Sequence, residues 1–256
     1  MVEIKRKAAL VTGAGKRIGR AIALDLAAQG WAVAVHYHRS ARAAAEVVTE
    51  ITGQGGDAVA LPADLGCEAE VQTLVPAAVE RLGPLTLLVN NASRFERDEV
   101  EDATRASWDA HMEANLRAPF VLSQAFAAHL PPDERGLIVN LLDQRVWNPT
   151  PHFLSYTLSK MGLWALTRSM AQALAPRIRV NGIGPGPTLR NERQTEADFA
   201  AQWDATPLRR GTTPAEICAA VRFLIDAPAM TGQMIALDGG EHLGWAQPAH
   251  GFVPVE

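Results

Sequence analysis

Tyr156 and Lys160 stand four residues apart in Ser155-Tyr156-Thr157-Leu158-Ser159-Lys160. On a helix that spacing puts both side chains on one face, one turn apart. A phenol ordinarily keeps its proton until about pH 10. A neighbouring ammonium favours the phenolate and brings the proton within reach of chemistry near neutrality. The pair therefore has the makings of a general acid and the cation that tunes it. An ordinary surface Tyr and Lys show the same spacing, so the pair gains meaning only from the elements that position it.

Those elements alternate. Short apolar runs predict strands at Ala8–Thr12, Ala32–Tyr37, Ala58–Pro62, Leu85–Asn90, Gly136–Leu142, Ile178–Gly182 and Met234–Leu237. Helical patterns follow them: from the first glycine turn to Gln29, then Ala41–Thr52, Glu68–Arg81, Thr104–His129, Phe153–Leu174 and Pro214–Asp226. Repeated strand–helix units with apolar strands imply an α/β fold whose parallel sheet is covered on both faces. No repeat and no interdomain linker is evident, so residues 1–256 are expected to form one domain. Gly184–Thr213 and Glu241–Glu256 break the rhythm. The first is polar and rich in Arg, Pro and Gly, with Arg190, Arg193, Arg209, Arg210 and Trp203, and is expected to be easily disordered without ligand. The second carries Trp245 and Phe252-Val253-Pro254, apolar residues expected to dock, with a neighbouring subunit as one candidate surface. Trp164 is expected to pack; Trp147 could pack or line a site.

Composition narrows the class. The chain has 256 residues, 48% of them hydrophobic, enough for a sizeable core. A net charge of −4 gives no reason to expect nucleic acid as a partner. Cys67 and Cys218 are the only cysteines, which excludes a disulfide framework and suits a cytoplasmic location. Met1 to Lys7 reads as a short charged lead into a strand rather than a signal peptide, and no apolar run reaches a membrane span. The seven histidines show no metal-ligand spacing, so no metal is expected.

Thr12-Gly13-Ala14-Gly15-Lys16-Arg17-Ile18-Gly19 follows the first strand and opens a helix. Gly13 permits a tight turn, Gly19 a close helix–strand approach, and the helix N-terminus offers N–H groups to a pyrophosphate. The second strand ends His36-Tyr37-His38-Arg39-Ser40, where a carboxylate would bind the ribose hydroxyls of NAD. His38, Arg39 and Ser40, with Arg17 to help, suit a 2′-phosphate instead, so the expected cofactor is NADPH. Asp64 is placed to accept from the adenine amino group or to cap the next helix. Asn90-Asn91-Ala92-Ser93 lies at the ligand edge of the sheet, where small and amide residues let a cofactor lie close.

These features resemble the short-chain dehydrogenase/reductase family from Ala8 to Gly240. The likeness rests on the glycine turn, Asn90-Asn91-Ala92, Asn115, Tyr156 with Lys160, Pro185-Gly186 and Asp238-Gly239-Gly240. It implies a doubly wound, single-domain Rossmann fold with a seven-stranded parallel sheet, a substrate lid over 184–213, and a homotetramer formed through the helices at 104–129 and 153–174. It makes Tyr156 the general acid, Lys160 the holder of the nicotinamide ribose, and Asn115 the anchor of a proton-relaying water. It adds Ile18, Leu65, Ala92, Ser93, Pro185, Gly186 and Thr188 to the cofactor contacts.

Two positions depart from the common family pattern. The usual third glycine of the turn is Arg17, and the usual serine thirteen residues before the tyrosine is Asp143. Both departures resemble the pteridine reductase branch, as do His36-Tyr37-His38-Arg39-Ser40 and Asn91-Ala92-Ser93-Arg94-Phe95. That likeness implies a planar pterin stacked on Phe95, contacts from Arg17 and Ser93, and a proton relayed by Asp143 and Tyr156. A C=N bond needs a proton at nitrogen and develops no oxyanion, so a partly buried Asp143 with a raised pKa could share that proton. A carbonyl or 3-oxoacyl reductase, and an NADPH sensor without turnover, are the rival readings. Phe95 as a mere packing aromatic and Asp143 as a mere backbone cap are the plainer ones.

Overall fold

Seven parallel strands form one sheet in the order β3-β2-β1-β4-β5-β6-β7, in a computed structural model that describes residues 7–244. The strands are β1 (Ala8–Val11), β2 (Ala32–Tyr37), β3 (Ala58–Pro62), β4 (Leu85–Asn90), β5 (Gly136–Leu141), β6 (Ile178–Pro185) and β7 (Met234–Leu237). The helices are α1 (Arg17–Ala28), α2 (Ala41–Gly53), α3 (Glu68–Leu82), α4 (Arg105–Met112), α5 (Ala118–His129), α6 (Leu154–Ala173), α7 (Glu196–Asp204) and α8 (Pro214–Asp226). β1 and β5 are buried along their whole length, which is why such strands read as continuous apolar runs. Side chains still alternate between two cores. Ala8 and Leu10 join Val71, Leu122 and Phe126 under α3 and α5, while Ala9 and Val11 join Ile22, Val47 and Leu224 under α1, α2 and α8. The strand order reverses beside β1 and β4, and ligands of such sheets bind outside the carboxyl ends at that point.

The architecture is the expected doubly wound fold, with differences in detail. The expected helix at 104–129 is α4 and α5 joined by a π-helical turn, Glu113–Arg117, that carries Asn115. β6 continues past Gly182 to Pro185, paired with β7 throughout the added residues. Segment 184–213 holds α7, started by a reciprocal cap between Thr195 and Asp198. Trp164 packs beside Leu142, Val146, Leu163 and Met234. Trp147 joins no core; it is half-exposed and meets His242 edge-on at 5.1 Å. Trp245 and Phe252-Val253-Pro254, expected to dock, lie outside the described residues.

A buried histidine ties the glycine turn to the sheet. Gly13 turns at φ +63° and its N–H donates to His36 Nδ1 at 3.0 Å. That acceptor role leaves the proton on Nε2, which faces the Ala63 carbonyl at 3.1 Å. One neutral imidazole thus joins the ends of β1, β2 and β3. Burial pushes its pKa from 6.5 down to about 4, with the Ala63 carbonyl opposing and His38 adding to the fall. The unfolded chain binds a proton below pH 6.5 that the native chain refuses until about 4. The contribution is therefore complete above pH 6.5 and is lost as pH falls toward 4, a total of about 3 kcal/mol at 1.36 kcal/mol per unit. Urea unfolding between pH 7 and pH 4 should show His36→Asn losing about one proton's worth of acid sensitivity relative to the parent chain. Identical slopes would remove His36 from this role.

A second buried cluster starts α6. Phe153 at its N-terminus has φ +58° and supplies no side-chain cap. Asp98, 57 residues away from Ser155, supplies it instead. Its carbonyl accepts from Leu154 N–H at 3.1 Å, its Oδ1 from Ser155 N–H at 3.1 Å, and its Oδ2 from the Ser155 and Ser107 hydroxyls. Burial works against the Asp98 charge, but the Ser155 and Ser107 hydrogen bonds prevail and hold its carboxyl below the usual range. His111 Nε2 accepts from Glu96 N–H, so its Nδ1 carries the proton and faces both Ser155 Oγ at 2.7 Å and the Ser107 carbonyl at 2.9 Å. Asp98→Ala removes a cap and strands buried donors, and should lower the unfolding free energy by about 2–4 kcal/mol in a denaturant titration. A loss below about 0.5 kcal/mol would mean that α6 starts without this cap.

Candidate functional site

α6 brings Tyr156 and Lys160 to the carboxyl end of β5, as their spacing requires. The Tyr156 hydroxyl donates to Asp143 Oδ2 at 2.7 Å. Lys160 is only 2% exposed, and its Nζ donates to the Leu141 carbonyl at 2.7 Å and lies 5.8 Å from the Tyr156 ring centre. Burial pushes the Lys160 pKa from 10.5 down to about 8, with the Asp143 carboxylate opposing. Asp143 leads a short turn at Gln144–Val146, where its Oδ1 accepts from Arg145 N–H at 2.8 Å. The buried Arg145 guanidinium stands 3.7 Å from Asp143 Oδ2. Hydroxyl, carboxylate, ammonium and guanidinium thus form one connected group.

Asn115 stands behind this group. Its amide donates to Arg94 O and Ser159 Oγ, both at 3.0 Å, and its Oδ1 accepts from Arg94 N–H at 2.8 Å and Ser93 Oγ at 3.2 Å. It clamps the loop after β4 to α6 and contacts neither the Tyr156 hydroxyl nor the Lys160 ammonium. The π-helical turn aims it there.

A cavity of about 230 Å³ opens in front of Tyr156. Among the expected residues it is lined by Arg17, Ile18, Asn91, Ser93, Phe95, Asp143, Tyr156, Lys160, Pro185, Gly186 and Thr188. Phe95 stands in this wall packed against other aromatic rings. Its ring is stacked on Phe153 at 4.6 Å and 6°, and Tyr156 meets it edge-on at 4.6 Å. One face is therefore already occupied within the chain. Arg145 flanks both phenylalanine rings, at 5.6 Å from Phe95 and 5.3 Å from Phe153.

The turn after β1 fits an anionic dinucleotide. A Cβ on Gly19 would lie 2.3 Å from the Gly13 carbonyl, so only glycine allows this approach. No side chain caps the N-terminus of α1 at Lys16, which leaves its N–H groups to a ligand. Asn91 Nδ2 donates to Thr12 O at 2.7 Å, and Ala92 N–H donates to Thr12 Oγ1 at 2.9 Å, holding that edge against the turn. Arg17 adopts φ +53°, the left-handed backbone natural to the glycine it replaces. Its guanidinium donates to the Leu189 and Arg190 carbonyls at 2.9 and 2.8 Å, joining the turn to segment 184–213.

His38, Arg39, Ser40, Asp64 and Leu65 cluster at the ends of β2 and β3, apart from the cavity lining. The end of β2 carries no carboxylate, as expected, and the expected Asp64 comes in from the end of β3. β3 brings Asp64 to 3.5 Å from His38 Nε2. Arg39 and Ser40 remain as the donors, and Ser40, at the start of α2, makes no side-chain cap. Asp64 does not cap α3, which begins after Cys67; its Oδ1 accepts from Gly66 N–H in a local turn.

Sequence reasoning missed Gln144, Arg145, Leu189, Asn191, Gln194, Phe199, Gln202 and Glu241 in the cavity wall. Most lie on 184–213, whose Thr195-x-x-Asp198 start was a readable helix signal. Among the described residues no group of three or more His, Cys, Asp or Glu could hold a metal, and no helix is long and apolar enough to cross a membrane.

The comparisons agree with this geometry. FolM alternative dihydrofolate reductase 1 from Brucella canis, solved in complex with NADP, superposes with a TM-score of 0.92 at 48% identity, covering 96% of this chain and 97% of that one. The expected cofactor is thus the one held by this neighbour. An uncharacterised oxidoreductase of Methylorubrum extorquens is 36% identical over 94% of this chain and 99% of its own length. A 3-oxoacyl-[acyl-carrier-protein] reductase of Synechocystis is 32% identical over 94% and 98%. Residues 7–199 match the family model described as short chain dehydrogenase, and with that sheet, turn and Tyr–Lys pair the chain belongs to the short-chain dehydrogenase/reductase family.

Proposed function

We propose that this chain is an NADPH-dependent reductase of a pterin-like C=N bond. The observation that carries the reading is the 2.7 Å hydrogen bond from the Tyr156 hydroxyl to Asp143 Oδ2. NADPH supplies the hydride. Tyr156 delivers its proton to the substrate nitrogen, and the resulting phenolate is reprotonated from solvent by way of Asp143, whose Oδ2 already contacts the hydroxyl. Lys160 keeps positive charge beneath the tyrosine, and Arg145 holds the carboxylate in place. A carboxylate at this position opposes the oxyanion that ketone reduction develops, but C=N reduction develops none. The FolM neighbour's name, an alternative dihydrofolate reductase, supports the class. The second reading, 3-oxoacyl reduction, draws on relatives such as the Synechocystis protein. Segment 184–213 serves as the lid, held to the cofactor turn by Arg17. A homotetramer belongs to the same reading, supported by an apolar hollow at Met112, Leu116, Phe120 and Leu166.

Activity should separate the two readings. The purified protein with NADPH should turn over a dihydropterin faster than a 3-oxoacyl thioester. Tyr156→Phe should lower kcat at least 10²-fold with NADPH binding retained, and Asp143→Ala should lower kcat on the pterin by a similar factor. Full pterin activity in Asp143→Ala would refute the relay. The Lys160 ammonium is lost as pH rises through about 8, so kcat/KM should fall above that pH.

Cofactor choice follows from the end of β2. Arg39 is exposed and engages no other described side chain, so it is available to a 2′-phosphate. NADPH should bind about 10-fold or more tightly than NADH, and Arg39→Asp should reduce or reverse the ratio in a calorimetric titration. Equal dissociation constants in the unmodified chain would contradict this.

A further inference from the structure

We propose that Gln144 reads the hydrogen-bonding edge of the substrate and thereby selects a nitrogen heterocycle over a simple ketone. The inference rests on the pterin reading and assigns a specificity residue within it. Gln144 lines the cavity immediately after Asp143, yet only 4% of it is exposed. Its backbone carbonyl accepts from Trp147 N–H at 3.0 Å. Its side-chain Oε1 is buried and meets no donor among the described residues. Folded proteins pair almost all such atoms, and an exception beside a reactive group calls for a functional explanation.

Several other polar groups of the wall are already engaged. Asp143 takes the Tyr156 hydroxyl and Arg145 N–H. Gln194 and Gln202 bond to each other through their amides at 3.0 Å. Arg17 and Lys160 are donors bound to backbone carbonyls. Gln144 therefore offers an acceptor that these neighbours do not use. Its terminal torsion is soft, so the amide can turn either end toward a ligand. An amide edge matches a ring that shows an N–H beside a carbonyl or ring nitrogen, as the aminopyrimidinone half of a pterin does. The reacting carbonyl of a 3-oxoacyl chain shows no N–H to satisfy Oε1. A site built around a hydrogen bond discriminates steeply against a substrate that cannot make it.

The test uses the full chain with NADPH and 7,8-dihydrobiopterin. Gln144→Met keeps length and removes both hydrogen-bonding ends; Gln144→Glu keeps acceptors only. Gln144→Met should raise KM for the pterin about tenfold or more, with a smaller change in kcat and an unchanged Kd for NADPH. Gln144→Glu should stay closer to the parent KM. Melting temperatures at or above the parent's would show that the Met variant is folded, since it removes an unpaired buried atom. A parental KM in Gln144→Met would overturn this proposal and leave the pterin reading standing. A weakened NADPH Kd in place of the KM change would assign the amide to the cofactor and overturn it as well. A parent enzyme that reduces a 3-oxoacyl thioester and no pterin would overturn both.

Discussion

A buried ammonium holds this site together. Lys160 is taken out of water almost completely, and a charge so placed persists only with a partner. The Leu141 carbonyl is that partner, at the last residue of β5. The bond pulls α6 onto the end of the sheet, and the chain leaving β5 must then pass beside Tyr156. Asp143 is two residues along that path, which is how a carboxylate comes to accept the phenolic proton. The Asp98 cap and the Asn115 clamp act on the same helix from its start and its flank. Three interactions that look unrelated in sequence thus fix one helix in position and rotation.

Two of the three left-handed non-glycine residues among the described residues lie near the site, Arg209 being the third. Arg17 and Phe153 both occupy left-handed backbone, at φ +53° and +58°. Each such residue costs about 1–2 kcal/mol relative to a right-handed one. Each is held by its side chain. The Arg17 guanidinium binds two carbonyls of segment 184–213. The Phe153 ring stacks on Phe95 and lies under Arg145. Arg145 also reaches Asp143, so the aromatic pair and the carboxylate share one cation. Strain kept at such points and compensated by specific contacts is typical of functional sites.

How much was legible depends on sequence distance. Tyr156 and Lys160 are one helical turn apart, so periodicity alone placed them together. The glycine turn was readable because close approach excludes every other residue at Gly19. Asp143 became meaningful only through family resemblance, since nothing local links it to Tyr156. Asp98 and Ser155 were not legible: their contact closes a loop of 57 residues and depends on tertiary packing. Asp64 and His38 were both readable as site residues, but their 3.5 Å approach was not, because it joins the ends of two strands. The Phe95–Phe153 stack was not legible, as Phe153 lies far along the chain. The π-helical turn at Glu113–Arg117 left no periodic trace, being one extra residue within a long helical pattern.

The same scaffold carries different chemistries, and the relatives illustrate it. A FolM reductase and a 3-oxoacyl reductase both cover nearly the whole chain. Sheet order, glycine turn and Tyr–Lys pair do not separate them, because in the proposed reading those parts serve the cofactor and the proton that either reaction would need. The residues able to separate them follow β4 and β5: Phe95, Asp143, Gln144 and Arg145. Loops there can change without disturbing either core, since the sheet beneath them is already closed by helices on both faces. A hydroxyl-to-carboxylate change at position 143 places an ionisable acceptor beside the Tyr156 hydroxyl. It leaves the hydrogen bond to Tyr156 available, because a carboxylate accepts where a serine would. In the proposed reading, a change of substrate class at these loops would cost the fold little, because the buried Lys160 and its carbonyl partner lie beneath them.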